Sequence, residues 1–136
     1  MNIVENIHID EERKKILDGT YPSKVIDGRQ RKHIEGTKEF DDKRLSMQRY
    51  NINAEPSLVS PSIDVQKLVD RYKCSGKVYF VKGSLFPREQ IIADIIVGKT
   101  WVTTLKKYVP TRMFVISYSK TGVHIFPVND IRSEKI

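Results

Sequence analysis

Two of the three histidines in this 136-residue chain sit among cations and hydroxyls. One is in Arg29-Gln30-Arg31-Lys32-His33-Ile34-Glu35-Gly36-Thr37. The other closes Ser117-Tyr118-Ser119-Lys120-Thr121-Gly122-Val123-His124, and the third is His8. Imidazole both takes and gives a proton near neutral pH. Lysine, arginine and hydroxyl donors beside it are what a phosphate-bearing substrate needs. A fold that brought His33 and His124 together would make an acid–base pair for cutting a phosphodiester. Each residue also has a plainer reading. His124 would be a hydrogen-bonded core residue, His33 a solvated loop residue, and Lys120 an ordinary exposed turn residue.

The totals narrow the classes. The net charge is +7, and no Asp or Glu occurs between Asp94 and Asp130, an interval holding Lys99, Lys106, Lys107, Arg112 and Lys120. A one-signed surface of this kind attracts polyanions, so Lys106, Lys107 and Arg112 are candidate substrate-binding residues. With 39% hydrophobic and 30% charged residues, the chain is too apolar for disorder to be favoured. It reads as one domain over 1–136. A single cysteine, Cys74, allows no internal disulfide framework and fits a reducing compartment. No apolar run reaches transmembrane length, and the first residues lack the charge and apolar pattern of a signal peptide. A cytoplasmic location with no membrane partner is expected.

The elements that must position the histidines follow from period and punctuation. Asp10 is placed to cap a short helix over 11–18, closed by Gly19. Residues 20–60 are polar and broken by Gly28, Gly36, Pro56 and Pro61, so loops are expected, with a short helix around 41–49. Ser62 is placed to cap a helix carrying Val65, Leu68, Val69 and Tyr72 at i, i+3, i+4 and i+7, with Gly76 as its end. Beyond Gly76 the period becomes two, which predicts strands over 77–82, 91–97, 100–105, 113–119 and 123–128. The last two join through Lys120-Thr121-Gly122 as a hairpin with Gly122 at a left-handed position. Helices first and then a mostly antiparallel sheet make an α+β domain. On the last strand His124, Phe126 and Val128 share one face while Val123, Ile125 and Pro127 share the other. Both faces are largely apolar, which leaves the core-histidine reading open.

Other chemistries lack their residues. There is no closely spaced Cys/His set for structural zinc, no phosphate-binding or dinucleotide glycine motif, and no convergent carboxylates in the basic sheet for a two-metal nuclease. No cofactor or metal is expected.

The Lys-His-Ile-Glu-Gly-Thr segment at 32–37, the helix Val65-Gln66-Lys67-Leu68-Val69-Asp70-Arg71-Tyr72 followed by Ser75-Gly76, and the closing Tyr118-Ser119-Lys120-Thr121-Gly122-Val123-His124-Ile125 together resemble the bacterial polymorphic toxin type 50 domain, over about residues 21–128. Residues 1–20 then form an N-terminal helical extension. The resemblance implies an RNase toxin of the barnase/EndoU/colicin/RelE-like fold, with N-terminal helices packed on a twisted, mostly antiparallel sheet, a type also found in phage and prophage proteins. It maps the family's histidines onto His33 and His124, and its polar turn onto Ser119, Lys120 and Thr121.

The expected activity is metal-independent endoribonuclease cleavage, in which the RNA 2′-hydroxyl attacks phosphorus and leaves a 2′,3′-cyclic phosphate. His33 and His124 would move the protons. Lys120, Thr121 and Ser119 would stabilise phosphoryl charge, and Gln30, Arg31, Lys32 and Thr37 would help bind substrate. RNA is the expected partner, with an immunity or host protein as a further one. Two rivals stand beside it: a non-catalytic phage protein that kept the fold and binds a protein partner, and a simple RNA-binding module.

Overall fold

The computed structural model describes residues 3–4 and 9–129, so His8 lies outside the described residues. Five strands form the main sheet in the order β1 (Ile3–Val4), β3 (Lys77–Val81), β4 (Arg88–Ile92), β7 (Met113–Tyr118), β8 (Val123–Pro127). A second sheet holds β2 (Leu58–Val59), β5 (Gly98–Val102) and β6 (Lys107–Thr111). Every strand pairing is antiparallel. With four α-helices, this is the α+β class that the sequence predicts.

The pleat divides the main sheet by chemistry. Val78, Ile91, Phe114, Ile116, Tyr118, Val123 and Ile125 point to one face and form the core with Ile16, Leu68 and Val69 from the helices. Helices α1 (Ile9–Leu17) and α4 (Val65–Tyr72) supply those residues. The helix expected as an extension is thus part of the core, because Ile16 is 1% exposed. Helix α1 starts early enough that Asp10 lies in its first turn rather than at its cap. Asp64, not Ser62, caps α4, accepting the Lys67 amide at 3.1 Å. That helix ends at Tyr72, before Gly76. Gly76 instead lets the chain pass against the β4 backbone, where a Cβ would collide with the Gln90 carbonyl.

Strand β4 begins at Arg88, not Ile91, because the buried Glu89 carries part of its pairing face. The Glu89 carboxylate accepts from the Cys74 amide at 2.9 Å, the Gly76 amide at 2.8 Å and the Tyr118 hydroxyl at 2.8 Å, so a polar run holds the sheet to the turn after α4. Strand β6 is absent from the expected set. Its Pro110 interrupts the strand pattern, which an edge strand tolerates.

The polar segment at 20–60 is more ordered than expected. It contains α2 (Asp27–Gln30), a 3-10 turn (Arg31–His33) and α3 (Lys38–Arg49). Thr37 caps α3, its hydroxyl accepting from the Phe40 amide at 3.1 Å. Strand β8 is the edge of the main sheet, and residues 24–30 cover it. Val25 bridges Val123, the Ile26 amide donates to the Val123 carbonyl at 2.8 Å, and Gln30 grips Ile125. No described helix is long and apolar enough to cross a membrane.

Candidate active site

The face of the main sheet opposite the core carries a row of polar side chains. Register places Tyr79, Arg88, Ser117 and His124 side by side across β3, β4, β7 and β8. The covering segment brings His33 over the same face. Its ring centroid is 6.3 Å from that of His124, with the planes 9° apart. Phe126 backs both imidazoles, 5.7 Å from His33 and 5.8 Å from His124.

His33 is 4% exposed. Its Nδ1 lies 3.0 Å from the Ser57 carbonyl and 3.1 Å from the Ser57 hydroxyl. A carbonyl oxygen only accepts, so this contact puts the proton on Nδ1 and leaves Nε2 with its lone pair. His124 is half-buried, and its Nδ1 is buried without a hydrogen-bond partner among the described residues. Buried polar atoms are nearly always paired, which sets this nitrogen apart from the other described polar side-chain atoms.

The charge around the two rings is one-signed. Burial, then the Lys43 charge, pushes the His33 pKa down to about 3, with His124 and Lys32 adding and the Ser57 bond opposing. Burial, then Arg29, Lys32, Lys43 and Arg88, brings His124 down to about 4. Lys43 is itself lowered, by burial and then by Lys32 and Arg88. Four cations therefore act on His124 and two of them, Lys32 and Lys43, on His33 as well, and an arriving phosphate would relieve their mutual repulsion.

Several expected site residues have other work. Gln30, expected at the substrate, is 2% exposed and is committed to the β8 backbone. It accepts the Ile125 amide at 2.7 Å and donates to the Ile125 carbonyl at 3.0 Å. Thr37 is likewise structural, because its hydroxyl donates to the Arg31 carbonyl at 2.6 Å and caps α3. Arg31 pairs with Asp27 at 2.8 Å and Glu39 at 3.8 Å. Of the four substrate-binding residues expected around His33, Lys32 is the one whose charge acts on both rings.

In the hairpin turn at 119–122, the Ser119 hydroxyl donates to the Gly122 carbonyl at 2.7 Å, while Lys120 and Thr121 are exposed at the tip. Gly122 has φ +150°, not a left-handed helical value, and a Cβ there would strike the Lys24 carbonyl. Lys106 and Lys107 lie at the end of the β5–β6 hairpin, and Arg112 is exposed between β6 and β7. Of the cations acting on the imidazoles, Lys32 is among the expected residues, while Arg29, Lys43 and Arg88 are not. Arg88 could have been found from the sheet register once β4 was extended to it. Lys43 required knowing that α3 packs over the histidines. Among the described residues, no three His, Cys, Asp or Glu side chains converge to hold a metal ion.

Comparison with curated proteins returns no match. The profile of the bacterial toxin 50 family, however, matches residues 25–127. That span begins at the segment covering β8 and ends with β8 itself, enclosing both histidines and all four cations. By this match over most of its length, the chain belongs to the bacterial toxin 50 family.

Proposed function

We infer that this toxin-family protein is a metal-independent endoribonuclease that cleaves RNA by transphosphorylation. The carrying observation is the meeting of His33 and His124, 6.3 Å apart, beneath Arg29, Lys32, Lys43 and Arg88. Ring nitrogens bond in the plane of the ring, and the two planes are nearly parallel, so a phosphodiester would lie along the shared edge of the pair, with a proton-transfer partner on each imidazole.

His33 serves as general base. Its Nδ1–H is held by Ser57, leaving Nε2 to take the 2′-hydroxyl proton. The 2′ oxygen then bonds to phosphorus as the bond to the 5′ oxygen breaks. His124, protonated in the complex, gives its proton to the departing 5′ oxygen. Burial and then four cations keep free His124 neutral, and a bound phosphate would favour its protonation by offsetting the cations. Lys32, Lys43 and Arg88 stabilise the phosphoryl oxygens, with Lys120 and Thr121 extending the basic surface at the hairpin tip. The products are a 2′,3′-cyclic phosphate and a 5′-hydroxyl. DNA, lacking the 2′-hydroxyl, is not cut. In the producing cell an immunity protein would restrain the activity.

The test is incubation of the purified protein with end-labelled RNA in EDTA. Cyclic-phosphate ends are expected, absent with His33→Ala or His124→Ala. RNA retardation without cleavage would leave an RNA-binding module, and neither result would favour a non-catalytic protein-binding role.

A further inference from the structure

His33 is 4% exposed, yet a general base must come within hydrogen-bond reach of the hydroxyl it deprotonates. Some part of the chain therefore has to move aside for RNA, and helix α3 has the construction for it. It packs chiefly on the 3-10 turn that carries His33, and its Lys43 charge bears on both imidazoles. Phe40 is its one buried residue, a turn away from Gly36, and Leu45 is 58% exposed. An element with so few buried apolar contacts opens locally at low cost.

The seam under α3 is polar. A cleft of about 380 Å³ is lined by Lys32 of the turn and by Glu39, Asp42, Lys43 and Ser46 of the helix. A left-handed residue stands beyond each end of α3, Gly36 at φ +86° and Asn51 at φ +57°. Open space surrounds the position of a Gly36 Cβ, and short connections of this kind absorb hinge motion.

Past Asn51 the chain is fixed. The Thr103 hydroxyl donates to the Asn53 carbonyl at 3.0 Å and the Tyr108 hydroxyl to the Pro56 carbonyl at 2.9 Å, which ties residues 53–56 to the hairpin of the second sheet. Between those ties Glu55 pairs with the Arg44 guanidinium at 2.8 Å, joining the loosely seated helix to the fixed segment. Ser57 continues that segment and holds the His33 ring, so the imidazole keeps its support when the helix leaves.

We propose that α3 is a lid over the histidine pair, hinged at Gly36 and Asn51 and latched by Arg44–Glu55, which opens to admit RNA. The proposal rests on the ribonuclease reading for what the lid admits. Closure over bound RNA returns Lys43 to the phosphate, as lids elsewhere complete a site on closing.

The test needs no RNA. Amide exchange read by mass spectrometry should be faster in α3 than in α4, whose Leu68 and Val69 belong to the core. Glu55→Gln removes the latch charge. It should speed both α3 exchange and carbethoxylation of His33 by diethylpyrocarbonate about two- to fivefold, the range of a partly exposed ion pair, with α4 exchange unchanged. Exchange of α3 as slow as that of α4, or Glu55→Gln rates equal to wild type, overturns the lid. So does an equal rise in α4, which would make the ion pair a support of the whole fold. A failed lid test beside RNA cleavage leaves the ribonuclease, whereas a passed one without cleavage rejects the ribonuclease and leaves the lid.

Discussion

His33 and His124 differ in how their nitrogens are held, and the difference sets their chemistry. Ser57 fixes the His33 tautomer, whereas the His124 Nδ1 has no protein partner among the described residues. Each is expected to be needed for cleavage: His33→Ala or His124→Ala should lower turnover on the order of 10²-fold or more, measured on defined RNA, with the folded structure retained by circular dichroism. Acid should destabilise the protein through the same rings. Both are neutral when folded, with pKa values of about 3 and about 4, while unfolded histidine titrates near 6.5. The unfolded chain thus binds more protons between those limits. The stabilising contribution is complete above about pH 6.5 and is lost as pH falls through about 4 and 3. Melting temperatures across pH 3–7 should show this fall, and a His33→Asn, His124→Asn double variant should show less of it. Inorganic phosphate should raise both imidazole pKa values in NMR titrations, because it counters the surrounding cations.

At the scale of elements, the site depends on how the edge of β8 is covered. One side chain, Gln30, satisfies both backbone groups of Ile125 and so anchors the turn carrying His33. Gln30→Ala leaves a buried N–H and a buried C=O unpaired, a loss of about 2–4 kcal/mol, readable by urea denaturation. Turnover should fall as well, since the His33 ring loses its register over His124. Helix α3 contributes differently, through Lys43. Lys43→Ala should weaken substrate binding while raising the His33 pKa, because the largest charge opposing that imidazolium is gone. A change in KM without any movement of that pKa would place Lys43 outside the site.

Across the whole molecule, two groups of cations bear on RNA binding. One is the four-cation cluster at the histidines, drawn from α2, the 3-10 turn, α3 and β4. The other is the acid-free C-terminal interval, whose Lys106 and Lys107 stand at the end of the second sheet's hairpin. RNA affinity should fall steeply with salt, with a slope of about −0.7 per phosphate contact on single strands. Lys32→Glu with Lys43→Glu should flatten that slope more than Lys106→Glu with Lys107→Glu. The reverse order in a salt titration would move the RNA path to the second sheet.

Local pattern was enough for much of this. Alternation in Met113–Tyr118 and Val123–Pro127 marks strands, and four polar or glycine residues between them mark a hairpin, because period and turn chemistry act over a few residues. The two histidine motifs are likewise visible in the chain, as is the family pattern joining them. Strand β6 was not legible, since Pro110 suits an edge, and which strand is an edge depends on the whole sheet. Nor was the division of labour around His33. Gln30 and Thr37 have the chemistry of substrate ligands, but long-range packing commits one to the β8 backbone and short-range capping commits the other to α3. Residue types and turns are properties of the sequence. Whether two imidazoles 91 positions apart meet, and which cations join them, was decided by sheet register and by the segment folded over its edge.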